Sequence, residues 1–598
     1  MATLEVSESY LLVETGKDHQ ATSSEGCEDD NSTRMEKTPL QCHAERGYSA
    51  RLRSKFKTRC CVKSKAAVLI LVWTSLIFLS LTTILDPNLY LSLGSLVFEH
   101  KSIVLSIQVI PPIVYSLFAF LYLFYPLAGC LADIKCGRYK TVVCSLWFIF
   151  SSGLLLFLCI IVLICSTFVG THTAKLVLIA IFGLFALVGL IVLCSSYITF
   201  DANVIQFGMD QLHDSPTEDS VLFIHWFFFS SSLGFAITKV PSSWITTKCW
   251  SSFLGFTLVA LVLVILLGVS LYIAQHKSQW FLIDYGSRNP YKLVFKIIKF
   301  AAQHKVPVRR SAFTYCEDEL PTRMDLGKEK YGGPFTTEQV EDVKAFLGIL
   351  CLLLTLGPVF TVDTAVNRLL NTVPHHLTIN DSCTATYYLI QVFELGGLSS
   401  ILIVVLIPVY ICLLRPFIHR YVPGMLKRLG SGMVLILVSL LCTLVIDTMG
   451  HIHHSHKVCF RKTDTHPEPA EHTIDSTTLY YTFPFILNGI GYLFFYTAAY
   501  EFICAQSPHA MKGLLIGTFY AIKGVFQLIG ALVVFVPFYT YRLTTNLPSC
   551  GFVYYLVNVL IALIGLLAYT WVARRYQYRQ RDEPDNIYRY AEEYYDRV

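Results

Sequence analysis

The chain has 598 residues, of which 54% are hydrophobic and 15% charged, and its formal net charge is +5. Soluble domains carry about 25% charged residues, so this composition excludes an ordinary soluble protein. Apolar runs of about twenty residues recur along the chain and are typical of helices that cross a bilayer, where backbone polar groups must be bonded internally. The sequence therefore predicts an all-α polytopic membrane protein.

Twelve transmembrane helices are predicted, in two six-helix bundles. A polar, disordered tail at 1–65 precedes an N-terminal bundle at 66–274, whose spans lie at 66–86, 104–131, 141–168, 174–200, 219–240 and 250–274. A cytosolic linker follows at 275–343, and helix-start chemistry lies near its end at Thr336, Thr337 and Glu338. The C-terminal bundle covers 344–573, with spans at 344–366, 385–414, 431–450, 479–505, 513–539 and 551–573, and a second tail occupies 574–598.

The distribution of lysine and arginine predicts the orientation. The short loops 132–140 and 415–428 are basic and fall on the same side as both tails, so both termini are expected in the cytosol. Asn380 begins a glycosylation sequon, Asn-Asp-Ser, in a predicted outer loop. Four cysteines lie in or beside outer loops, where one or two disulfides are expected without a choice among the three pairings: Cys249, Cys383, Cys459 and Cys550.

The stretch GCLADIKCGRYK predicts a gate. Gly129 allows two helices to approach closely, and Asp133 can pair with Arg138 or with a facing helix end. Together with Gly137 these residues form a gating motif that would stabilise an outward-facing state; ordinary charged residues at a helix end are the alternative. Twelve helices in two halves are the architecture of the major facilitator superfamily, in which substrate binds between the halves.

Several segments resemble the proton-coupled oligopeptide transporter (POT, peptide/nitrate transporter) family. They are FLYLFYPLAGCLADIKCGRYKT in the second span, FGMDQL, FIHWFFFSSSLG in the fifth span, VLIPVYICLLRP with KRLGSGMVL, and YEFICAQSPHAMKG in the tenth span. They cover both halves, from about residue 110 to 540, in the order found in the family. The sequence is thus identified as a divergent member.

The resemblance implies roles for individual residues. Glu501 matches the glutamate that binds a peptide's amino terminus, although it could instead be a helix-interior acid paired with Lys523 or a backbone group. The candidate substrate-binding residues are Glu501, Asp363, Ser232 and Lys523. The candidate proton-coupling residues are Glu501, Asp201 and Asp363, because a desolvated carboxyl titrates upward toward neutral pH.

The departures from the family pattern concern the N-terminal half. The family's first-span E-x-x-E-R cluster falls on Ser75, Phe78 and Leu79, and its fourth-span lysine falls on Asp201. The alternative to a proton-coupling role is that Asp201 merely lies at the cytosolic end of its helix. The acids that remain outnumber the bases, which favours a cationic or zwitterionic amine over an anion. The full set of candidate cavity charges is Asp201, Asp363, Arg368, Glu394, Glu501 and Lys523.

The functional prediction is a secondary active transporter that moves small peptides or amine-containing solutes, with protons as the expected coupling ion. The alternatives are a carrier of another solute such as nitrate, and a non-transporting sensor or scaffold. No motif indicates an enzyme, a cofactor or a nucleic-acid partner, and the cluster His451–His456 reads as a solvated loop rather than a metal site. A monomer in the plasma membrane is expected, with an endolysosomal membrane second; the substrate and the stoichiometry stay open.

Overall fold

The computed structural model describes most of the membrane region. The described residues are 68–78, 80, 120–168, 172–212, 217–245, 250–276, 281, 290–304, 322–370, 397–414, 422–453, 482–508, 511–535 and 552–578, all within the compact unit Cys60–Val598. The predicted sites at Asn380, Glu394, Cys249, Cys383, Cys459 and Cys550 lie outside them, as do the side chains of Asp363 and Arg368.

Helices account for nearly all of the described chain. The first half, as used below, comprises α1 (Val68–Phe78), α2 (Tyr125–Leu131), α3 (Arg138–Phe168), α4 (His172–Gln211), α5 (Thr217–Ile245) and α6 (Trp250–His276). The linker contributes α7 (Pro290–Gln303). The second half comprises α8 (Thr337–Leu370), α9 (Gly397–Val409), α10 (Met425–His453), α11 (Thr482–Gln506), α12 (Lys512–Ile529) and α13 (Phe552–Arg575).

Every predicted span contains one of these helices, so the prediction of a helical membrane protein is confirmed. Seven helical stretches within the described ranges are long and apolar enough to cross a membrane: Arg138–Cys159, Ala180–Gln211, Glu218–Ile237, Thr337–Thr361, Met425–Ile446, Lys512–Val533 and Val553–Arg575. The full count of twelve crossings stays a prediction. Large apolar side chains such as Leu184, Ile564 and Leu567 lie about 60% exposed on these helices, as expected for surfaces that face lipid.

Close helix contacts depend on small residues. Within the second half, a Cβ on Gly432 of α10 would lie 2.8 Å from the carbonyl oxygen of Gly491 in α11, so only glycine permits this approach. Within the first half, the Ser152 hydroxyl of α3 donates to the Gly189 carbonyl of α4 at 3.0 Å. The two halves meet where α2 packs on α12 and where α5 packs on α9.

Two of the helices that extend beyond the hydropathy-based bounds are α4 and α8. α4 continues to Gln211, and α8 begins at Thr337, as the helix-start chemistry predicts. At that start the Thr336 and Gln339 side chains each bond the other residue's backbone N–H at 3.3 Å. This reciprocal pair is a capping box, and it uses Gln339 rather than the predicted Glu338.

The linker is folded against the bundle around one buried carboxylate. Asp325 accepts hydrogen bonds from the backbone N–H and the hydroxyl of Thr322 and pairs with Lys328 and Lys344 at 2.6 and 2.5 Å. Burial raises the pKa of Asp325, but these hydrogen bonds outweigh burial and hold the pKa well below its usual value. The cluster ties the linker to the start of α8.

Candidate substrate site and gate

The gating motif lies where α2 meets the first turn of α12. Beyond α2, Asp133 is buried, accepts a hydrogen bond from the backbone N–H of Leu514 at 3.1 Å and pairs with Arg138 at 3.2 Å. Leu514 is the third residue of α12, so Asp133 satisfies an otherwise unpaired donor at the positive end of that helix. Both partners predicted from the sequence, Arg138 and a facing helix end, therefore contact Asp133 simultaneously.

Three glycines permit this contact between the halves. A Cβ on Gly129 would lie 2.1 Å from the carbonyl oxygen of Gly513, and a Cβ on Gly517 would lie 2.5 Å from that of Tyr125. Real Cβ atoms do not approach backbone so closely, so alanine at either position would force the helices apart. Gly137 has φ of 72°, a backbone conformation that favours glycine, where the chain turns into α3.

A charge network extends the gate to a residue that sequence reasoning missed. Asp210, near the end of α4, pairs with Arg138, and Lys512 lies 3.9 Å from the same carboxylate. Arg138 thus lies between two acids, and Lys512 brings a base from the second half. The available signal was the segment FGMDQL, which contains Asp210 and matches the family.

The linker also reaches the gate. The hydroxyl of Tyr291, in the first turn of α7, donates to Asp133 at 3.1 Å. Burial and the neighbouring carboxylate raise the pKa of Tyr291, so this hydroxyl stays protonated as a donor. Burial also raises the pKa of Asp133, with Arg138 opposing that rise.

Glu501 has a different partner from the one considered from the sequence. Its two carboxylate oxygens lie 2.8 and 2.7 Å from one guanidinium nitrogen of Arg428 in α10, and the side chains are 15% and 12% exposed. The alternative pairing with Lys523 is wrong, because Arg428 takes both oxygens. Arg428 was assigned to a basic loop, since it precedes the apolar run of its span.

Asp201 and Lys523 lie together in the interior. Asp201 is 5% exposed and interacts electrostatically with Lys523 of α12 and with the hydroxyl groups of Tyr197 and Tyr125. Asp201 lies well inside α4, so the alternative that it merely ends its helix is wrong. The ammonium of Lys523, from the second half, attracts this carboxylate electrostatically.

Aromatic rings surround the lysine. The ammonium of Lys523 lies 5.4 Å from the ring centroids of both Tyr122 and Tyr496, which belong to different halves. This distance and placement are typical of cation–π attraction. Two further tyrosines, Tyr500 and Tyr520, share a hydroxyl–hydroxyl hydrogen bond of 2.5 Å beside this group. These tyrosines could not be predicted as site residues from the sequence, because isolated aromatic residues in apolar helices are usually packing residues.

Ser232 lies on the same side of α5 as an aromatic neighbour of this site. Phe228, one turn earlier, packs against Tyr496 and Tyr500 with ring centroids 6.2 and 5.4 Å apart. Ser232 itself is 8% exposed. Residues four apart share a helix face, so Ser232 is near the site, although no contact with Asp201 or Lys523 is found among the described side chains.

Apolar contacts occupy the place of the family's first-span charges. The ring of Phe78 stacks on that of Phe200, with the ring centroids 3.8 Å apart. Phe200 directly precedes Asp201 in the chain. The hydroxyl of Ser75 donates to the Leu71 carbonyl of its own helix at 2.7 Å. Near Phe200, the described charges are therefore contributed by α4 and α12 rather than by α1.

The sequence model of the POT family (PTR2) matches residues 146–544, well over half of the chain. The chain belongs to the POT family. It is therefore a transporter of the major facilitator fold and not an enzyme.

Curated relatives include solute carrier family 15 member 3 of Mus musculus, 23% identical over 515 residues, which are 77% of this chain and 84% of that protein. The Rattus norvegicus protein of the same name is 23% identical over 422 residues, or 64% of this chain and 68% of that one. Both matches therefore extend over most of the compared proteins.

Solved structures share the fold at low identity. An auto-inhibited POT family peptide transporter has a TM-score of 0.56 and 17% identity, covering 87% of this chain and 99% of that one. The POT family transporter PepTSo has a TM-score of 0.55 and 16% identity, covering 86% of this chain and 98% of that one. The proton:xylose symporter XylE, of the major facilitator superfamily, has a TM-score of 0.51 and 11% identity, covering 86% of this chain and 96% of that one.

Proposed function

We propose that this transporter carries small zwitterionic solutes, with short peptides as the foremost class, by alternating access. The observation that carries the proposal is the opposition of Asp201 and Lys523, one from each half, inside an aromatic interior. A carboxylate suits a substrate's ammonium group, and an ammonium suits its carboxylate. The structural similarity to an auto-inhibited POT family peptide transporter supports the choice of peptides.

The burial of these charges supports a functional role. Charges inside a membrane protein are costly and usually serve a site. Asp201 is buried and is attracted electrostatically by Lys523, which comes from the other half. A zwitterion inserted between them would satisfy both charges and link the two halves.

Asp201 is also the proposed proton carrier. Lys523 stabilises the negative charge of Asp201 through space. When the lysine turns to a substrate carboxylate, a proton can bind Asp201 and neutralise its charge instead. Ser232 is the proposed polar contact of the substrate backbone, because it lies one turn from Phe228. Asp363 stays a candidate for either role.

Glu501 has a different proposed role. Because both of its oxygens are bonded to Arg428, it is poorly available to an incoming ammonium group. The thiol of Cys504 interacts electrostatically with Glu501 as well as with Arg138 and Asp210, which sets this ion pair beside the gate. Glu501 and Arg428 therefore act, in this proposal, as a clamp within the second half near the gate.

The gate role of Gly129, Asp133, Gly137 and Arg138 is part of the same proposal. Contacts between the halves at α2 and α12 keep this end closed, and the proposed opening breaks the bonds of Asp133 to Leu514 and of Asp210 to Lys512. We assign this end to the cytosol, together with both termini of a monomer in the plasma membrane. Accessibility of tags at each terminus in intact and permeabilised cells tests that orientation.

One observation favours the competing view of a non-transporting sensor. The stack of Phe78 on Phe200 occupies the place of charges that the family uses in its first span. Solute flux separates the two views. Purified protein in proteoliposomes is expected to take up a labelled dipeptide, faster under an inward proton gradient, and less when the dipeptide is amino-acetylated or amidated at its carboxyl end.

The matched controls are variants that remove comparable charges elsewhere. Lys427→Met removes an exposed lysine, and Asp219→Asn an acid in the first turn of α5; both are expected to transport like the parent. Uptake of nitrate in preference to the dipeptide would indicate the alternative substrate class. Binding without flux for every solute would favour the sensor.

A further inference from the structure

The linker helix α7 carries a cationic and apolar surface that the transport cycle does not explain. Its sequence, PYKLVFKIIKFAAQ, contains three lysines and no acid. Lys292, Lys296 and Lys299 recur at helical spacing and are all exposed, so they lie on one face. Such a face attracts anionic groups.

Beside the lysines lies an exposed apolar strip. Phe295 is 69% exposed and Ile298 is 37% exposed, while Val294 and Ile297 on the opposite side are buried against the protein. The helix thus has one apolar side that packs on the transporter and a second apolar strip that does not. A phenylalanine left open next to three lysines is typical of helices that lie in a lipid headgroup region.

The position of α7 brings this face to the membrane. Tyr291 in its first turn bonds Asp133, which follows directly on the end of the second predicted span. That bond holds the start of α7 at the level where a membrane-spanning helix emerges from the bilayer. This is the level at which lipid headgroups lie, and the exposed lysines of α7 suit such a layer.

We propose that α7 is an interfacial helix that binds anionic phospholipid of the same leaflet, with Phe295 and Ile298 inserted among the upper acyl chains. The charge of the face selects anionic over zwitterionic headgroups. An acidic protein segment would complement the lysines but would not require an open phenylalanine beside them. This inference does not depend on the transported solute.

The test places a reporter on the strip. The full-length Phe295→Trp variant is incorporated in nanodiscs of phosphatidylcholine, with and without phosphatidylserine, in which the lipids carry brominated acyl chains. Quenching beyond that of the parent protein, which has its own tryptophans, reports insertion of residue 295. We expect this extra quenching to depend on phosphatidylserine.

Two triple variants at Lys292, Lys296 and Lys299 separate charge from structure. With glutamine at all three positions, lipid affinity is expected to fall roughly a hundredfold, since each basic residue near an anionic surface contributes about 1 kcal/mol. With arginine at all three, quenching is expected to persist. A thermal unfolding midpoint equal to that of the parent checks that both variants are folded.

Three results would overturn the proposal. They are equal quenching with and without phosphatidylserine, full quenching in the glutamine variant, and no extra quenching in any bilayer. The last result, joined to binding of an acidic peptide by the lysines, would assign the face to a protein partner instead.

Discussion

At the scale of single residues, the charges of the described interior belong to both halves. Asp201 and Lys523 attract each other, and tyrosines supply rings around the ammonium and hydroxyl groups near the carboxylate. Each charge therefore stabilises the other in a medium of low polarity. That dependence can be measured as a coupling free energy.

The first prediction concerns this coupling. Asp201→Asn and Lys523→Met should each lower the free energy of unfolding by about 1–3 kcal/mol, because each removes the attraction that stabilises the opposite buried charge. The double variant should be more stable than the sum of the single effects by about 0.5–3 kcal/mol. Unfolding midpoints in a fixed detergent, over all four proteins, give the coupling; strict additivity would contradict it.

The second prediction separates the clamp role of Glu501 from a substrate role. Glu501→Gln breaks the pair with Arg428 and should destabilise the protein by roughly 1.5–3 kcal/mol, the range for hydrogen bonds to charged groups. The apparent affinity for a dipeptide should change little once the variant is measured below its unfolding temperature. A stable Glu501→Gln protein that no longer distinguishes free from acetylated dipeptide would instead make Glu501 the amine site.

At the scale of helices, the approach of α2 to α12 depends on glycine. The third prediction is that Gly129→Ala separates the halves at this end, because its Cβ would otherwise lie 2.1 Å from the Gly513 carbonyl oxygen. Spin labels at the ends of α2 and α12 should report a longer distance than in the parent. Gly183→Ala is the control, since nothing lies within 4 Å of its added Cβ, and an unchanged distance in Gly129→Ala would refute the prediction.

The linker gives a prediction about pH. The pKa of Asp325 is lower in the folded protein than its unfolded value of about 3.9, so its bonds stabilise the linker above about pH 4 and weaken as pH falls below it. The protection factors of the amides in residues 322–336, that is, exchange rates corrected for the intrinsic effect of pH, should therefore fall between about pH 4 and pH 2. In the Asp325→Asn variant these amides should be poorly protected throughout that range. If protection in the variant depended on pH as steeply as in the parent, the effect would belong to another group.

Much of the helical architecture could be predicted from hydropathy, while the bounds near polar residues could not. The span ending at 200 was cut short because Asp201 follows it, whereas α4 continues through residues whose burial comes from other helices. The start of α8 could be predicted because capping is local, between residues three apart. Hydropathy reports the average environment of a segment and not the partners of its polar residues.

At the scale of the whole molecule, the halves are joined by long-range contacts that no local pattern contains. The motif around Asp133 indicated a gate. The hydrogen bond that Asp133 accepts from the backbone N–H of Leu514, however, joins residues 381 positions apart. Arg428 and Glu501 are likewise far apart in sequence, so the resemblance alone could not give their pairing. The family's role for Glu501 was inferred from sequence, whereas the site proposed here depends on the packing of α4 against α12.

The central claim is that Asp201 and Lys523 bind opposite ends of one zwitterionic solute. The measurement that tests it most directly is dipeptide binding by the parent, Asp201→Asn and Lys523→Met proteins, each with the free, amino-acetylated and carboxyl-amidated forms. The account predicts that Asp201→Asn no longer prefers the free amine but still prefers the free carboxylate, and that Lys523→Met shows the reverse. Equal loss of affinity for all three forms in both variants would contradict it, because the two residues would then support the fold without contacting the solute.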